Sequence, residues 1–155
     1  MPRAYKAREV IQMDTVDFGE IFAFTGVDIF SREADVLITP AITSNYGAQF
    51  LTLSMGRRFN GFSELIQTDG GPEFENEFKL NVEKYCNQHR VARPYKKNEQ
   101  AYIESFNRTL RKECLGWKKY KINELNDCQG RVERFLKRYH YHRPHIGLGM
   151  KPPLS

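Results

Sequence analysis

Residues 9–41 read EVIQMDTVDFGEIFAFTGVDIFSREADVLITPA, and their pattern is the strongest indication of the fold. Apolar and polar residues alternate at its start, and its middle is rich in aromatic and β-branched residues. Both patterns are typical of strands, and short turn signals divide the stretch into three. It therefore predicts an antiparallel meander of three strands, at 9–17, 20–30 and 33–41.

Beyond Ser44, which we expect to cap a helix, the periodicity changes to that of helices alternating with short strands. The further predicted elements are a helix from residue 44, strands at 63–68 and 90–93, and helices at 73–88, about 100–117 and about 121–141, with a mobile loop at 95–100. A meander followed by such units predicts an α/β fold, a mixed five-stranded sheet with helices on both faces. We expect one domain over 9–155, including the last helix, after a leader at 1–8.

The composition favours a soluble cytosolic protein, with no membrane association. The three cysteines, Cys86, Cys114 and Cys128, form no C-x-x-C pair, which argues against a zinc knuckle or a disulfide framework. Three unpaired thiols suit a reducing compartment. The chain shows neither a signal-peptide pattern nor an apolar run long enough to span a bilayer.

The net charge of +5 is distributed unevenly along the chain. Residues 1–103 carry 12 Lys and Arg against 14 Asp and Glu, whereas residues 104–155 carry 12 against 5. A basic C-terminal third favours a polyanionic partner such as nucleic acid. A solvated helix surface explains the same charge equally well, so charge alone decides nothing.

Three acids lie at positions that the predicted elements do not explain. They are Asp14 in the first strand, Asp69 at the tip of the fourth, and Glu104 one turn into a helix. Strand tips and adjacent helices are where open α/β sheets place their sites. Each acid also has a plain alternative. Asp14 suits a charged edge strand, Asp69 suits a turn, and Glu104 suits the positive end of a helix dipole.

Taken together, the three acids match the needs of phosphoryl-transfer chemistry. Two Mg²⁺ or Mn²⁺ ions stabilise the attacking and leaving oxygens of such a displacement, and hard cations prefer carboxylate oxygen. We therefore expect Asp14, Asp69 and Glu104 to be both metal ligands and catalytic residues, with two ions as cofactors. Their mutual repulsion makes the site metal-dependent.

Basic residues near these acids are expected to contact DNA phosphates. Arg108 and Arg111 follow Glu104 at i+4 and i+7, on the helix face that carries it, and Lys112 is adjacent. Intrahelical Glu–Arg pairing is the alternative for that face. Lys96 and Lys97, in the predicted loop, suit either DNA contact or solubility. On the same helix, a stripe that docks it on the sheet is predicted to contain Ile103, Phe106, Leu110, Cys114 and Trp117.

Three segments together resemble the motifs of retroviral-type integrases and bacterial insertion-sequence DDE transposases. They are MDTVDF around Asp14, LIQTDGGPEF around Asp69 and AYIESFNRTLRKECL around Glu104, with 34 residues between the last two acids. Arg111 occupies the family's basic position seven residues beyond the glutamate, and the ending YHYHRPHIGLGMKPP is similar to that of bacterial members.

The resemblance implies a ribonuclease H-like catalytic core that performs metal-dependent DNA 3′-end cleavage and strand transfer. It also implies two kinds of partner. One is DNA, as the element ends and the target, and the other is further copies of the chain in a homodimer or higher assembly. Two alternatives stay open. One is a ribonuclease H-like nuclease that hydrolyses without joining, and the other is a catalytically inactive DNA-binding remnant.

Other polar residues are expected to lie outside the site. His140, His142 and His145 fit no metal-ligand spacing, so structural or DNA-backbone roles are favoured over ligation. Asp28 alternates in phase with Asp14 but is expected to be solvent-exposed. Glu73 is expected to be an acid at a helix N-terminus rather than a ligand.

Overall fold

A computed structural model describes residues 3–93, 99–145 and 148–154. Its centre is a five-stranded sheet in the order β3-β2-β1-β4-β5. The strands are β1 (Val10–Asp17), β2 (Phe22–Asp28), β3 (Ala34–Thr39), β4 (Ser63–Thr68) and β5 (Cys86–Val91). β1, β2 and β3 pair antiparallel, as the predicted meander requires, while β4 and β5 are added parallel to β1. The predicted mixed five-stranded sheet is confirmed.

Helices cover both faces of this sheet, and each face has its own core. The helices are α1 (Ser44–Arg57), α2 (Asn76–Val82), α3 (Ala101–Leu110) and α4 (Leu125–Tyr141), with 3-10 turns at Pro72–Phe74 and Ile122–Glu124. One core joins α1 and α2 to the sheet and contains Phe50 and Phe78. The other joins α3 and α4 to the opposite face and contains Phe106 and Phe135.

Two local predictions about helix ends are wrong. The N-cap of α1 is Thr43 rather than Ser44, because the Thr43 side chain accepts a hydrogen bond from the Tyr46 backbone N–H. The helix predicted over 73–88 is shorter, because the chain from Cys86 onward pairs with β4 instead. Tertiary strand pairing here overrides the helical spacing of the apolar residues.

The apolar face of α4 is used inside the molecule. Phe135, Leu136 and Tyr139 are each at most 4% exposed, and α4 packs against β3. The rings of Phe106, Phe135 and Tyr139 contact one another, with centroids 5.3–6.1 Å apart. These side chains stabilise the sheet–helix core and are therefore not available as an interface between copies of the chain.

Two buried aspartates lie outside the predicted site and are completed by arginine. The Asp28 carboxylate accepts hydrogen bonds from the Arg8 guanidinium and from backbone N–H groups, so the expectation that Asp28 is solvent-exposed is wrong. Asp35, also fully buried, binds Arg57 through Nε at 2.8 Å and Nη2 at 2.6 Å. Both serve the fold by satisfying charge and backbone donors.

Candidate active site

Asp14 and Asp69 lie on neighbouring parallel strands at matching positions. β1 pairs with β4 so that Ile11 faces Ile66 and Gln12 faces Gln67. Asp14 lies two residues beyond Gln12, and Asp69 lies two residues beyond Gln67. Because the two aspartates stand at the same level of adjacent parallel strands, their side chains lie near each other, and the charge of Asp69 acts on Asp14.

Helix α3 brings Glu104 to the same region and is attached to Asp14 directly. Asn107, one turn beyond Glu104, donates a hydrogen bond from Nδ2 to Asp14 Oδ2 at 3.1 Å. The Glu104 backbone N–H donates to the carbonyl of Gln100 at the helix start, and the Glu104 side chain is solvent-exposed. Glu104 therefore projects from a helix whose inner face is fixed to the sheet.

The electrostatics of Asp14 show that the acids influence one another. The pKa of Asp14 is raised to about 7, chiefly by burial and also by the negative charges of Asp69, Glu73 and Glu104, while the Thr15 backbone N–H lowers it. A carboxyl that stays partly protonated near neutral pH lacks a compensating cation. This edge of the sheet therefore gathers negative charge.

Glu73 is part of this acidic edge, which the sequence did not reveal. It lies in the 3-10 turn as an N-terminal acid, as expected, but its side chain is only 6% exposed and accepts a 2.8 Å hydrogen bond from Thr15 Oγ1. A Cβ at Gly71 would lie 2.4 Å from Glu73 Oε1 and 3.0 Å from Asp69 Oδ1. Glycine at this position leaves room for both carboxylates.

Three buried glutamines fix the acid-bearing elements to one another. Gln12 donates to the Glu99 carbonyl at 2.9 Å and accepts from the Ile103 backbone N–H at 3.0 Å, which holds the start of α3 against β1. Gln67 donates to the Glu99 carbonyl and to Gln100 Oε1. The Gln100 amide in turn donates to the Met13 carbonyl at 3.1 Å.

The sequence carries a signal for this cluster. The pattern I-Q-x-D occurs at Ile11–Asp14 and again at Ile66–Asp69, so a buried amide precedes each aspartate by two positions on two paired strands. Gln100 precedes Glu104 by one helical turn. The expectation of a mobile loop over 95–100 is wrong at its end, because Glu99 and Gln100 are buried.

A cavity of about 520 Å³ opens beside the acids, between the end of β5 and the start of α3. Asp69, Glu104 and Glu99 line it together with Arg93. Hydrogen bonds from the backbone and side chain of Arg93 lower the pKa of Glu99, which holds that carboxylate ionised. Glu99 is thus a structural acid at the rim, distinct from Asp14.

The basic residues expected to contact DNA differ in their surroundings. The Arg108 and Lys112 side chains are exposed, and neither has an ion-pair partner in the described part of the chain. The Arg111 guanidinium lies over the rings of Phe18 and Trp117 and donates to the Asp17 carbonyl at 3.1 Å. Lys96 and Lys97 lie outside the described residues.

The helix that carries Glu104 ends differently from the prediction. After Leu110 it continues as one π-helical turn, Arg111–Leu115, and Gly116 with φ 72° ends it. Ile103, Phe106 and Leu110 are buried and Cys114 is partly buried, as predicted for the docking stripe. Trp117 was predicted to continue that stripe, but it is 65% exposed because Gly116 turns the chain away from the core.

The histidines lie apart from the acids. His140 is 1% exposed; Nε2 accepts from the Ala34 backbone N–H at 3.0 Å and the other ring nitrogen faces the Leu136 carbonyl. Burial lowers the pKa of His140 to about 4, so it is neutral and structural. His145 packs edge-on against Tyr139, and His142 is exposed.

The part of the chain that the structure describes contains neither a preformed metal-binding cluster nor a membrane-spanning helix. Over residues 3–93, 99–145 and 148–154, no group of three or more His, Cys, Asp or Glu side chains is arranged to hold a metal ion. Within those same ranges no helix has the length and apolar character needed to cross a bilayer.

Comparison with known sequences supports the resemblance noted from the motifs. Residues 85–153 match the integrase core domain family. The chain is 30% identical over 135 residues to the uncharacterized 39.2 kDa protein of insertion element IS476 from Xanthomonas euvesicatoria, covering 86% of this chain and 38% of the relative. It is 31% identical over 145 residues to the uncharacterized 31.7 kDa protein of insertion element IS407 from Burkholderia multivorans, covering 91% and 50%. The chain thus spans half or less of these relatives' length.

Comparison with solved structures confirms the fold. A chain of the simian T-cell lymphotropic virus intasome in complex with a PP2A regulatory subunit superposes with a TM-score of 0.80 at 18% identity, covering 99% of this chain and 55% of that one. The catalytic core domain of BIV integrase superposes with a TM-score of 0.70 at 17% identity, covering 94% and 91%. The predicted ribonuclease H-like architecture is therefore correct.

Proposed function

We propose that this chain catalyses metal-dependent DNA 3′-end cleavage and strand transfer, because residues 85–153 match the integrase core domain family and the chain is similar to insertion-element proteins. The observation that carries the proposal is the shared electrostatics of Asp14, Asp69, Glu73 and Glu104, four acids from three separate parts of the fold. Proteins rarely gather uncompensated carboxylates unless a ligand supplies the opposite charge.

The donor chemistry of this edge fits Mg²⁺ or Mn²⁺, because every candidate ligand is a carboxylate oxygen and none is sulfur or imidazole. Asp14, Asp69 and Glu104 would hold two such ions, although within the described residues the three side chains do not form a preformed metal site. When bound, such ions polarise a phosphoryl oxygen and stabilise developing negative charge. The high pKa of Asp14 indicates that a cation at this edge would displace a proton from it.

The chain's own residues would supply rigid positioning. Gln12 and Gln67 tie β1 and β4 to the start of α3, and Asn107 holds one oxygen of Asp14. Such buried hydrogen bonds restrict the carboxylates to one arrangement, which favours in-line attack on a phosphate. Arg108 and Lys112, exposed beyond Glu104, would bind the flanking phosphates.

The first experiment separates joining from hydrolysis. The protein is incubated with labelled DNA ends and a target duplex, with Mg²⁺, with Mn²⁺ or with a chelator. We expect cleaved and joined products only with metal, and an activity loss on the order of 10²–10³-fold for Asp69→Asn. Asp17→Asn is the matched control, because Asp17 is an exposed acid on the same strand as Asp14.

The possible outcomes of this experiment distinguish the proposed function from its alternatives. Cleavage without any joined product would favour the nuclease alternative, and DNA binding without cleavage would favour the inactive remnant. Equal activity in Asp69→Asn and in the unaltered protein would contradict the assignment of the site.

DNA binding itself is tested by its salt dependence. Each phosphate neutralised on duplex DNA lowers log K by about 0.9 per unit of log salt concentration. Arg108→Ala together with Lys112→Ala should reduce that slope, whereas Lys84→Ala, in the exposed turn between α2 and β5, should leave it unchanged. An unchanged slope in the double variant would remove these two residues from the proposed DNA contact.

We also propose that the protein acts as a homodimer or higher assembly in the bacterial cytosol or nucleoid, because joining two DNA ends to a target needs two catalytic centres. The interface must use residues other than Phe135, Leu136 and Tyr139, which are buried. Sedimentation equilibrium at micromolar concentration is expected to show the dimer. A monomer at every concentration, with and without DNA, would contradict this.

A further inference from the structure

Trp117 is an exposed aromatic residue in a rigid, basic setting beside the acidic edge. It is the single tryptophan of the chain, and it is 65% exposed. The Arg111 guanidinium lies 4.9 Å from its ring centroid and 4.6 Å from that of Phe18, so the guanidinium is held between the two rings. One face of the indole is supported by this stack, and the proposed cleavage chemistry assigns the residue no duty.

The backbone around Trp117 is specialised for this exposure. Arg111–Leu115 forms a π-helical turn, a rare element that often marks functional sites. Gly116 follows with φ 72° and ψ −161°, a conformation that is essentially restricted to glycine. Without this turn the indole would continue the buried stripe of α3, so the local geometry presents the ring to solvent.

The segment after Trp117 is pinned to the end of β1. The Tyr120 backbone N–H donates to the Phe18 carbonyl at 2.7 Å, and the Glu20 backbone N–H donates to the Tyr120 carbonyl at 3.0 Å. The Lys119 ammonium lies 3.7 Å from Asp17 Oδ1. The indole therefore stands on a fixed support rather than on a loose loop, so little ordering would be needed when a ligand stacks on it.

The position of this support relates it to the acids. Arg111 donates to the carbonyl of Asp17, which is three residues beyond Asp14 on β1, or about 10 Å along the strand. The exposed Arg108 lies between Glu104 and Arg111 on α3. A nucleic-acid strand that reaches the acidic edge and follows Arg108 would meet Trp117 next.

We propose that Trp117 is a stacking platform for the exposed face of a DNA base, either an unpaired base or the terminal base of an open duplex end, near the phosphate at the acidic edge. This inference rests on the proposed function. The charge of the surroundings supports it, because Lys112 and Lys118 flank an aromatic ring in a segment that reads RKECLGWKKYK. Rings interleaved with basic residues are typical of surfaces that bind single-stranded nucleic acid.

The platform is tested with its own fluorescence. The protein is titrated with a single-stranded oligonucleotide, an open-ended duplex and a covalently closed relaxed circular duplex, while the anisotropy of labelled DNA or sedimentation reports binding independently. We expect the first two DNAs to quench or shift Trp117 emission. The closed circle, which exposes no base face, should bind without doing so.

Variants give the second measurement. Trp117→Ala should weaken single-strand binding by about 5- to 150-fold, the range that corresponds to stacking of one base, and should leave binding of the closed circle unchanged. Trp117→Phe should retain most of the affinity. Phe62 is an exposed ring just before β4, at the opposite end of that strand from Asp69, so Phe62→Trp in the Trp117→Phe background is the matched fluorescent control.

Three results would overturn the platform. The first is saturation with open-ended DNA and no change in emission, and the second is an equal loss of affinity for all three DNAs in Trp117→Ala. The third is an emission change caused by protein concentration alone, which would indicate a second copy on the ring. Binding to open-ended DNA without a Trp117 response would overturn the platform and leave the proposed function intact, whereas failure to bind any DNA would overturn both.

Discussion

The sheet buries carboxylates in two kinds of place, and it completes them in opposite ways. Asp28 and Asp35 are fully buried, and each is matched by an arginine and by backbone N–H donors. Asp14 has two donors, the Asn107 side-chain amide and the Thr15 backbone N–H, and it faces three further carboxylates rather than an arginine. The negative charge of the first kind of site is compensated within the chain, whereas that of the second is compensated only when a cation binds. This contrast separates structural acids from candidate functional acids better than burial does.

The largest effect should come from breaking a completed acid. Asp35→Ala leaves Arg57 without its buried partner, and we expect a loss of about 3–5 kcal/mol in the free energy of unfolding by denaturant. Glu133→Ala is the control, because Glu133 pairs with the same arginine at the surface and should cost less than about 1 kcal/mol. Similar losses in the two variants would remove the distinction.

Asp14→Asn should have the opposite sign. Folded Asp14 keeps its proton up to a pKa of about 7, whereas in the unfolded chain it ionises near its ordinary value of 3.8. Stability is therefore lost as the pH rises from about 4 to 7, by at most about 4 kcal/mol and less where solvent screens the charge. At pH 8 without metal, Asp14→Asn should be the more stable protein.

The measurement is the difference in unfolding free energy between Asp14→Asn and the unaltered protein at pH 5 and at pH 8. His140 has a lowered pKa and loses stability in the other direction, as the pH falls from about 6.5 to 4. Because His140 is present in both proteins, its contribution cancels in the difference. An Asp14→Asn protein that is less stable than the unaltered protein at pH 8 would contradict the contrast between Asp14 and the arginine-paired aspartates.

The glutamine cluster should give a smaller but distinct effect. Gln12→Ala leaves the Ile103 N–H without its acceptor, which should cost about 1–3 kcal/mol in stability. Since Gln12 holds α3 against β1, DNA cleavage should fall more than the fraction of unfolded protein explains. Gln88→Ala, at an exposed position on β5, is the control for both measurements. Activity that follows the folded fraction alone would make Gln12 purely structural.

The smallest effect concerns the cation. Mg²⁺ or Mn²⁺ at ten times its dissociation constant should stabilise the protein by about 1.4 kcal/mol, observed as a rise in Tm. The rise should be larger at pH 8 than at pH 5, because Asp14 must lose its proton to become a ligand. Asp69→Asn should reduce it, and Asp35→Asn should not. An equal rise in all three proteins would indicate nonspecific binding.

Strand alternation and turn residues are local properties, and for that reason the meander and the mixed sheet could be predicted from the sequence. The sequence also pointed to the three acids, whose catalytic role stays a prediction. It did not determine the length of α2, since the competing strand β5 owes its existence to pairing with β4.

The folded structure was needed to tell which polar residues lie at the candidate site and which stabilise the fold. The sequence predicts Asp28 at the surface and Glu73 at a helix N-terminus, yet the buried Asp28 binds Arg8 and the buried Glu73 accepts a hydrogen bond from Thr15. The sequence predicts Trp117 in the buried stripe of the helix, but Gly116 turns the chain so that the indole is exposed. Burial and hydrogen bonding depend on contacts between residues far apart in the chain, and for that reason such roles follow from the folded arrangement and not from spacing.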